Sequence, residues 1–183
     1  MNINDFNCII GVDCGRQGGI AVWTKDNVKV VKMPKDLNEL TPFLQYYKEN
    51  YNPIAFIEKL TVRPDDISVQ NGQPNFGKLF RIQKMLANYE QLKLVFENAG
   101  VPFCLCHPMT WESRLKVRSQ IKLEKAERKK RYADFARKWF PQVKVTLWNA
   151  DALLILAFGQ MMIENEPKWI YSNLPQKVYE KLF

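Results

Sequence analysis

Two short apolar runs, far apart in the chain, each end in a single carboxylate, and no other feature constrains the fold as much. Ile9-Ile10-Gly11-Val12 leads into Asp13, and Ala55-Phe56-Ile57 leads into Glu58. Runs of this length and composition read as buried strands. A carboxylate at the mouth of such a strand must stay hydrated, find a partner or bind a cation, because an unpaired charge out of water is costly. If the two strands are neighbours, both acids arrive at one edge of one sheet. Gly15, Gly18 and Gly19 keep side chains out of the space in front of Asp13.

The rest of the chain supports this arrangement. Residues 8–13 form a first strand, and a glycine-rich turn leads into a second at 20–23. Lys25-Asp26-Asn27 signals another turn before a third strand at 28–31. Leu37, Leu40, Phe43, Leu44 and Tyr47 recur at helical spacing up to the breaker Asn52-Pro53, and the strand at 54–57 follows. Residues 61–78 lack periodicity and contain Pro64, Gly72, Pro74 and Gly77, which predicts a loop or lid. A long helix then places Leu79, Ile82, Leu86, Tyr89, Leu92 and Phe96 on one face and is capped by Gly100. A strand at 101–105, a short loop or helix at 108–111, and a helix from about 122 to 139 come next. The buried side of that helix is expected to carry Ala126, Tyr132, Phe135, Ala136 and Trp139. Asn149 opens a last helix reaching about residue 163, and the tail from Pro167 is less regular. Hairpins followed by alternating helices and strands predict an α/β fold: a mixed five-stranded sheet flanked by helices. Residues 1–166 are expected to form one domain, with 167–183 as a tail packing on it.

Charge is distributed unevenly. The net charge is +8, and residues 114–144 alone carry 12 Lys or Arg against 3 Asp or Glu. Such a basic segment favours a polyanion, although solubility alone also accounts for basic residues. The apolar stretch at 152–158 is too short to cross a bilayer, and the opening residues do not read as a signal peptide. The cytoplasm, or another reducing compartment containing DNA, is the expected location. Cys104-x-Cys106-His107 is one residue short of a zinc knuckle and has no second pair, so the four cysteines read as small buried thiols.

Asp151 lies just inside the last helix, where the helix N-terminus favours a negative charge, and Ala150 and Ala152 allow close approach to the sheet. Taken singly, Asp13 suits a turn, Glu58 an exposed strand end and Asp151 a first-turn acid. As a set, each on a short apolar element, they suggest a shared site for Mg²⁺, with Mn²⁺ as a substitute. Two such ions, about 4 Å apart, would serve phosphodiester hydrolysis.

The run Ile10-Gly11-Val12-Asp13-Cys14-Gly15-Arg16-Gln17-Gly18-Gly19-Ile20-Ala21-Val22 resembles the first catalytic strand and turn of RuvC-type Holliday-junction resolvases, above all their short phage-associated members. Ile57-Glu58-Lys59, Asn75-Phe76-Gly77, Pro108 with Trp111, Phe140-Pro141 and Ala150-Asp151-Ala152-Leu153-Leu154-Ile155 fall in the family's order, over roughly residues 8–160. The resemblance implies a ribonuclease H-like, usually dimeric nuclease that makes paired Mg²⁺-dependent nicks in four-way DNA junctions. It also implies that Asp13, Glu58 and Asp151 are catalytic and metal-binding. The family places a fourth polar ligand shortly before the last acid. Here that stretch is Thr146-Leu147-Trp148-Asn149. Asn149 is the candidate neutral oxygen ligand, or else a helix cap.

Phosphate contacts fall to Lys116, Arg118, Lys122, Lys125, Lys129 and Lys130, with Arg128 and Arg131 as further candidates. One basic group near the metals would also orient the scissile phosphate. Phe76 and Phe80 are placed to insert between bases at an open junction, or, for Phe80 above all, to pack in a core or dimer surface. The resemblance puts that surface on the long helix after Gly77. Two other classes compete. A junction-binding protein of the same fold with weak or no cleavage fits the missing ligand, and related nucleases act on RNA or single strands. A glycine-rich turn after a strand Asp also holds phosphate in sugar kinases and actin-like ATPases, but those enclose nucleotide between two related lobes, and 183 residues without a repeat do not supply them.

Overall fold

The structure is a computed structural model, and it describes residues 5–25, 27–62, 69, 70 and 73–174. Three strands open it, β1 (Cys8–Val12), β2 (Gly19–Thr24) and β3 (Asn27–Lys32), paired antiparallel in sequence order. A short 3₁₀ turn, Leu37–Glu39, then feeds α1 (Leu40–Asn50), and Asp36 accepts the Asn38 N–H at its start. β4 (Pro53–Glu58) returns beside β1 in parallel, with Val12 opposite Ile57. The remaining elements are the small antiparallel pair β5 (Val69–Gln70) and β6 (Gln73–Pro74), α2 (Phe76–Asn98), β7 (Phe103–Cys106), α3 (Pro108–Arg114), α4 (Lys125–Trp139), α5 (Ala150–Asn165) and α6 (Pro167–Asn173). β7 pairs in parallel with β4, and the sheet order is β3-β2-β1-β4-β7.

Both faces of the sheet are covered, as parallel central strands require. Ile10, Val12, Ala55 and Ile57 point to a core shared with Leu40 and Leu44 of α1 and Tyr89, Leu92 and Phe96 of α2. Ile9, Ile54 and Phe56 point the other way, onto α5 and the inner faces of α4 and α6. α5 is the most deeply buried helix: Ala150 through Leu156, with Phe158, Gly159 and Met162, have almost no exposure. It crosses β1 at Gly11, where a Cβ would lie 2.4 Å from both the Ala152 carbonyl oxygen and the Leu156 nitrogen. Only a residue without a side chain permits this approach, so the buried strand carries a glycine despite its conformational cost there.

Several expectations change. Residues 61–78 are not loop throughout: β5 and β6 pair within them and α2 begins at Phe76, while 63–68, 71 and 72 lie outside the described residues. The Asn75 side chain caps α2 by accepting the Lys78 N–H at 3.0 Å, a signal overlooked in the glycine-rich composition. The apolar stripe of α2 is buried only from Tyr89 onward; Leu79 and Ile82 are half-buried and Leu86 is exposed. Periodicity marks a stripe but does not say how far the opposing layer extends. On α4, which starts at residue 125 and not 122, Ala133 is buried, whereas Ala126, in the first turn, and Trp139, in the last, are exposed. The stretch 167–173 is a regular helix with Ile170 fully buried, and 175–183 lie outside the described residues. No helix among the described residues is long and apolar enough to cross a membrane.

Gly11→Val is expected to lower unfolding stability by about 1–3 kcal/mol through overpacking against α5. Gly77→Ala, whose Cβ would make only an ordinary contact at 3.6 Å, is expected to raise it by about 0.5–1 kcal/mol. Urea midpoints of the two variants check both signs.

Candidate active site

Because β1 and β4 run parallel in register, the residues that follow Val12 and Ile57 are Asp13 and Glu58, side by side at the same sheet edge. Asp13 is 7% exposed; its Oδ1 accepts the Gly15 N–H at 2.9 Å and its own N–H donates to the Gly19 carbonyl at 3.0 Å. Gly18 supports this from below. A Cβ there would sit 2.6 Å from the Asp13 carboxyl carbon and 2.8 Å from Oδ2, so any side chain would displace the acid. The crossing of α5 over Gly11 carries its first turn to the same edge, and Asp151, 9% exposed, joins the other two.

The three acids sense one another. Burial pushes Glu58 up from the usual 4.5 to about 8, and the charges of Asp13 and Asp151 add to the rise. Burial also raises Asp13, followed by the charge of Asp151, against the opposing Gly15 N–H and Lys129 ammonium. The Trp111 indole N–H is directed toward Glu58 and eases its charge, but no hydrogen bond of ordinary geometry forms. Lys129 reaches in from α4, and its Nζ lies 2.6 Å from Asp151 Oδ2. Burial of the ammonium works against its charge, but Asp151, Asp13 and Glu58 together hold its pKa above the ordinary lysine value. Asp151 Oδ1 is buried without a hydrogen-bond partner.

Around the acids lies a cleft of ≈ 980 Å³ whose lining includes Arg118, Lys122, Lys125, Arg128, Lys129 and Arg131. Of the expected phosphate contacts, Arg118, Lys122 and Lys125 are exposed on this cleft. Lys116, in a left-handed backbone conformation at φ 55°, lines an adjoining hollow, also with Arg118 and Arg131. Lys130 is exposed on α4 outside both linings. The Arg131 Nε–H donates to the Val117 carbonyl at 2.8 Å, and its guanidinium stacks over Phe135. Phe76 and Phe80 are 72% and 65% exposed at the start of α2, so Phe80 is not a core residue.

Asn149 is 1% exposed and commits its side chain elsewhere. Its Oδ1 accepts the Thr146 N–H at 2.7 Å and its Nδ2 donates to the Lys144 carbonyl at 3.1 Å, which closes the turn before α5. It occupies the cap position of α5 but makes no side-chain cap bond, and its amide oxygen is engaged away from the acids. Trp148 packs its ring on Gly19, with the Lys32 ammonium 5.6 Å from the ring centre. The sequence reading missed the inward reach of Lys129 and the approach of Trp111. Helical phase placed Lys129 three residues before buried Tyr132, which was a usable signal for the first; nothing local marked the second.

Cys8, Cys104 and Cys106 are buried free thiols, and Cys14 is half-buried. Cys104 Sγ–H donates to the Ile170 carbonyl at 3.7 Å, Cys106 Sγ–H to the Cys104 carbonyl at 3.8 Å, and burial raises both thiols. Cys14, with its thiol on the Glu58 carbonyl at 3.4 Å, is likewise raised by burial and then by Glu58 and Asp13. For a divalent ion at the acidic edge, the donor chemistry fits: hard carboxylate oxygens, mutually repelling, with one buried oxygen unpartnered. As the side chains stand, no three His, Cys, Asp or Glu groups among the described residues form a ready ligand set. Asp151 is paired with Lys129 instead.

A mixed sheet of this order, flanked by helices, is an α/β fold with a ribonuclease H-like arrangement. Among solved structures, the chain is similar in fold to T. thermophilus RuvC in complex with a Holliday junction substrate. The match has 18% identity and a TM-score of 0.50 over 85% of this chain and 95% of that one. A second T. thermophilus RuvC structure aligns at 18% identity and a TM-score of 0.46, over 85% and 96%. No protein-family model matches the chain, and no curated protein matches it in sequence.

The raised Glu58 has a stability consequence in ion-free protein. Folded Glu58 keeps its proton to about pH 8, whereas an unfolded glutamate loses it near 4.5, so the folded state binds the extra proton between those values. The contribution is therefore present below pH 4.5 and is lost as pH rises to about 8. Glu58→Gln cannot ionise and escapes this loss. Urea unfolding in EDTA is expected to show the variant gaining on the parent chain across that window; a constant difference would contradict it.

Proposed function

We propose that this chain is a divalent-metal-dependent endonuclease that hydrolyses phosphodiester bonds in branched DNA, with the four-way junction as its substrate. The observation that carries the reading is the convergence of Asp13, Glu58 and Asp151 at one sheet edge, inside a cleft walled by basic side chains. Those three acids would hold Mg²⁺ or Mn²⁺. A divalent ion there supplies Lewis acidity to activate water and to stabilise the leaving 3′ oxygen.

The chain's own groups do the remaining work. Arg118, Lys122, Lys125 and Arg128 meet phosphates along the cleft, which provides the affinity that a few metal contacts cannot. Trp111, fully buried behind Glu58, excludes water from one side of that carboxylate. Gly18 keeps the space beside Asp13 clear. The fold likeness to a RuvC that was captured on a Holliday junction supports the choice of substrate. We assign the nuclease domain to residues 1–166, with α6 packing on it, as the burial of Ile170 in the α5-side core supports; the rest of the expected tail, 175–183, lies outside the described residues. The exposed apolar start of α2, with Phe76, Phe80, Met85 and Leu86, is the surface we assign to a homodimer, since two copies would cut both strands of a symmetric junction. A reducing, DNA-containing compartment such as the cytoplasm suits its buried free thiols.

A second reading is favoured by one specific observation. With Lys129 on Asp151 and no ready ligand set, a junction-binding protein with weak or no cleavage would look the same. Cleavage of labelled four-way, flap and linear DNA in Mg²⁺, Mn²⁺ or EDTA separates the two. Paired symmetric nicks in the junction are expected, falling to background in EDTA and in Asp13→Asn while junction binding persists. Tight binding with no cut product in either metal would establish the binding module.

Affinity is expected to fall roughly 100-fold between about 50 and 200 mM salt, as about four phosphate contacts dictate. Arg118→Ala and Lys125→Ala should each lower the magnitude of the log–log salt slope by about 1. Fluorescence anisotropy with a labelled junction measures both, and a flat salt response would remove the basic cleft from the reading.

A further inference from the structure

The acidic edge already contains a cation. Of the ion pairs found among the described residues, Lys93–Glu90, Arg114–Glu166 and Arg137–Asp134 lie on the surface, whereas Lys129–Asp151 is half-buried within the cleft. The Nζ–Oδ2 distance of 2.6 Å is that of a strong charge-assisted hydrogen bond. A divalent ion ligated to the same oxygen would have to share it with the ammonium, and the two positive charges would repel each other at close range. The opposite oxygen, Oδ1, is buried and has no partner.

Charge gives the same answer. Once an ion is ligated and all three carboxylates are ionised, they carry three negative charges, and one ammonium leaves two, which a single divalent ion neutralises. Two divalent ions beside Lys129 would leave the pocket with a net positive excess before any phosphate arrived. The ligand count is short in the same way. Asn149 has its amide turned into the 144–146 turn, Trp148 lies on Gly19, and the Thr146 hydroxyl, buried and unpartnered, is not among the groups that line the cleft, so the stretch before Asp151 places no further side-chain oxygen in that lining.

We propose that the Lys129 ammonium takes the place of the second divalent ion, so that the site binds one ion through Asp13, Glu58 and Asp151 Oδ1 while Lys129 holds Oδ2. The proposal rests on the metal-dependent reading above and replaces a two-ion site by one ion and a fixed ammonium. It accounts together for the missing fourth donor and for a lysine that the rest of the basic helix does not need for solubility. It also separates Lys129 from Arg118, Lys122 and Lys125, which keep their charges toward the open cleft.

The test is Mn²⁺ binding to ion-stripped full-length protein without DNA, followed by the electron paramagnetic resonance signal of free Mn²⁺ and by calorimetry. The parent chain and Lys129→Arg, which retains the charge, are expected to bind one ion. Lys129→Met, close in volume and uncharged, is expected to bind two, the first at least tenfold more tightly. Thermal melts confirm that each variant is folded, and the arginine variant keeps the test open should the methionine variant not fold. Two ions in the parent chain, or unchanged stoichiometry and affinity in Lys129→Met, would overturn the proposal and leave the nuclease reading intact. Absence of Mn²⁺ binding in all three proteins would overturn both.

Discussion

The contact between α5 and β1 at Gly11 sets the geometry of this molecule. A helix normally rides above a sheet on a layer of side chains; here backbone meets backbone, with a hypothetical Cβ overlapping three α5 main-chain atoms. That approach buries the first half of α5 and aims its N-terminus at the sheet edge where β1 and β4 end. Asp151 is thus brought to acids 138 and 93 residues earlier in the chain by packing, with no local sequence link. The energetic conflict at the edge follows directly: burial and the neighbouring negative charges raise the proton affinity of Asp13 and Glu58, and a cation relieves it.

α4 answers that conflict from the opposite wall. Its residues 128–131 are all basic, yet they have different tasks because helical phase separates them. Lys129 turns to Asp151, Arg131 bonds to the Val117 carbonyl, Arg128 faces the cleft and Lys130 faces away. A charge run that looks uniform on paper is a counterion, a structural brace and a phosphate-facing group in turn.

Much of the architecture was legible in the sequence. Apolar runs of strand length, hairpin turns between the first three, and helical spacing afterwards were enough for a mixed five-stranded sheet, and the acids stood out because each interrupts an apolar run. What was not legible depended on partners distant in the chain. The stripe of α2 looks continuous from Leu79 to Phe96, but only the part from Tyr89 onward has a core to enter. Asn149 has the right identity for a cap or a ligand, yet its amide is spent on the backbone of 144 and 146. Lys129 could not be told from Lys130 by composition; the difference is about 100° of helical rotation.

The parallel register of β1 and β4 has a consequence for how the chain tolerates insertions and deletions. Side chains in a strand alternate between faces, so a one-residue slip in either strand would exchange inward and outward positions and carry one acid off the shared edge. Asn52 is already bonded to Asn7 and continues this ladder, whereas the connection at residues 33–36, between β3 and the turn before α1, does not enter the register. Natural length variation in relatives of this chain should therefore collect in that connection and spare the five residues before each acid.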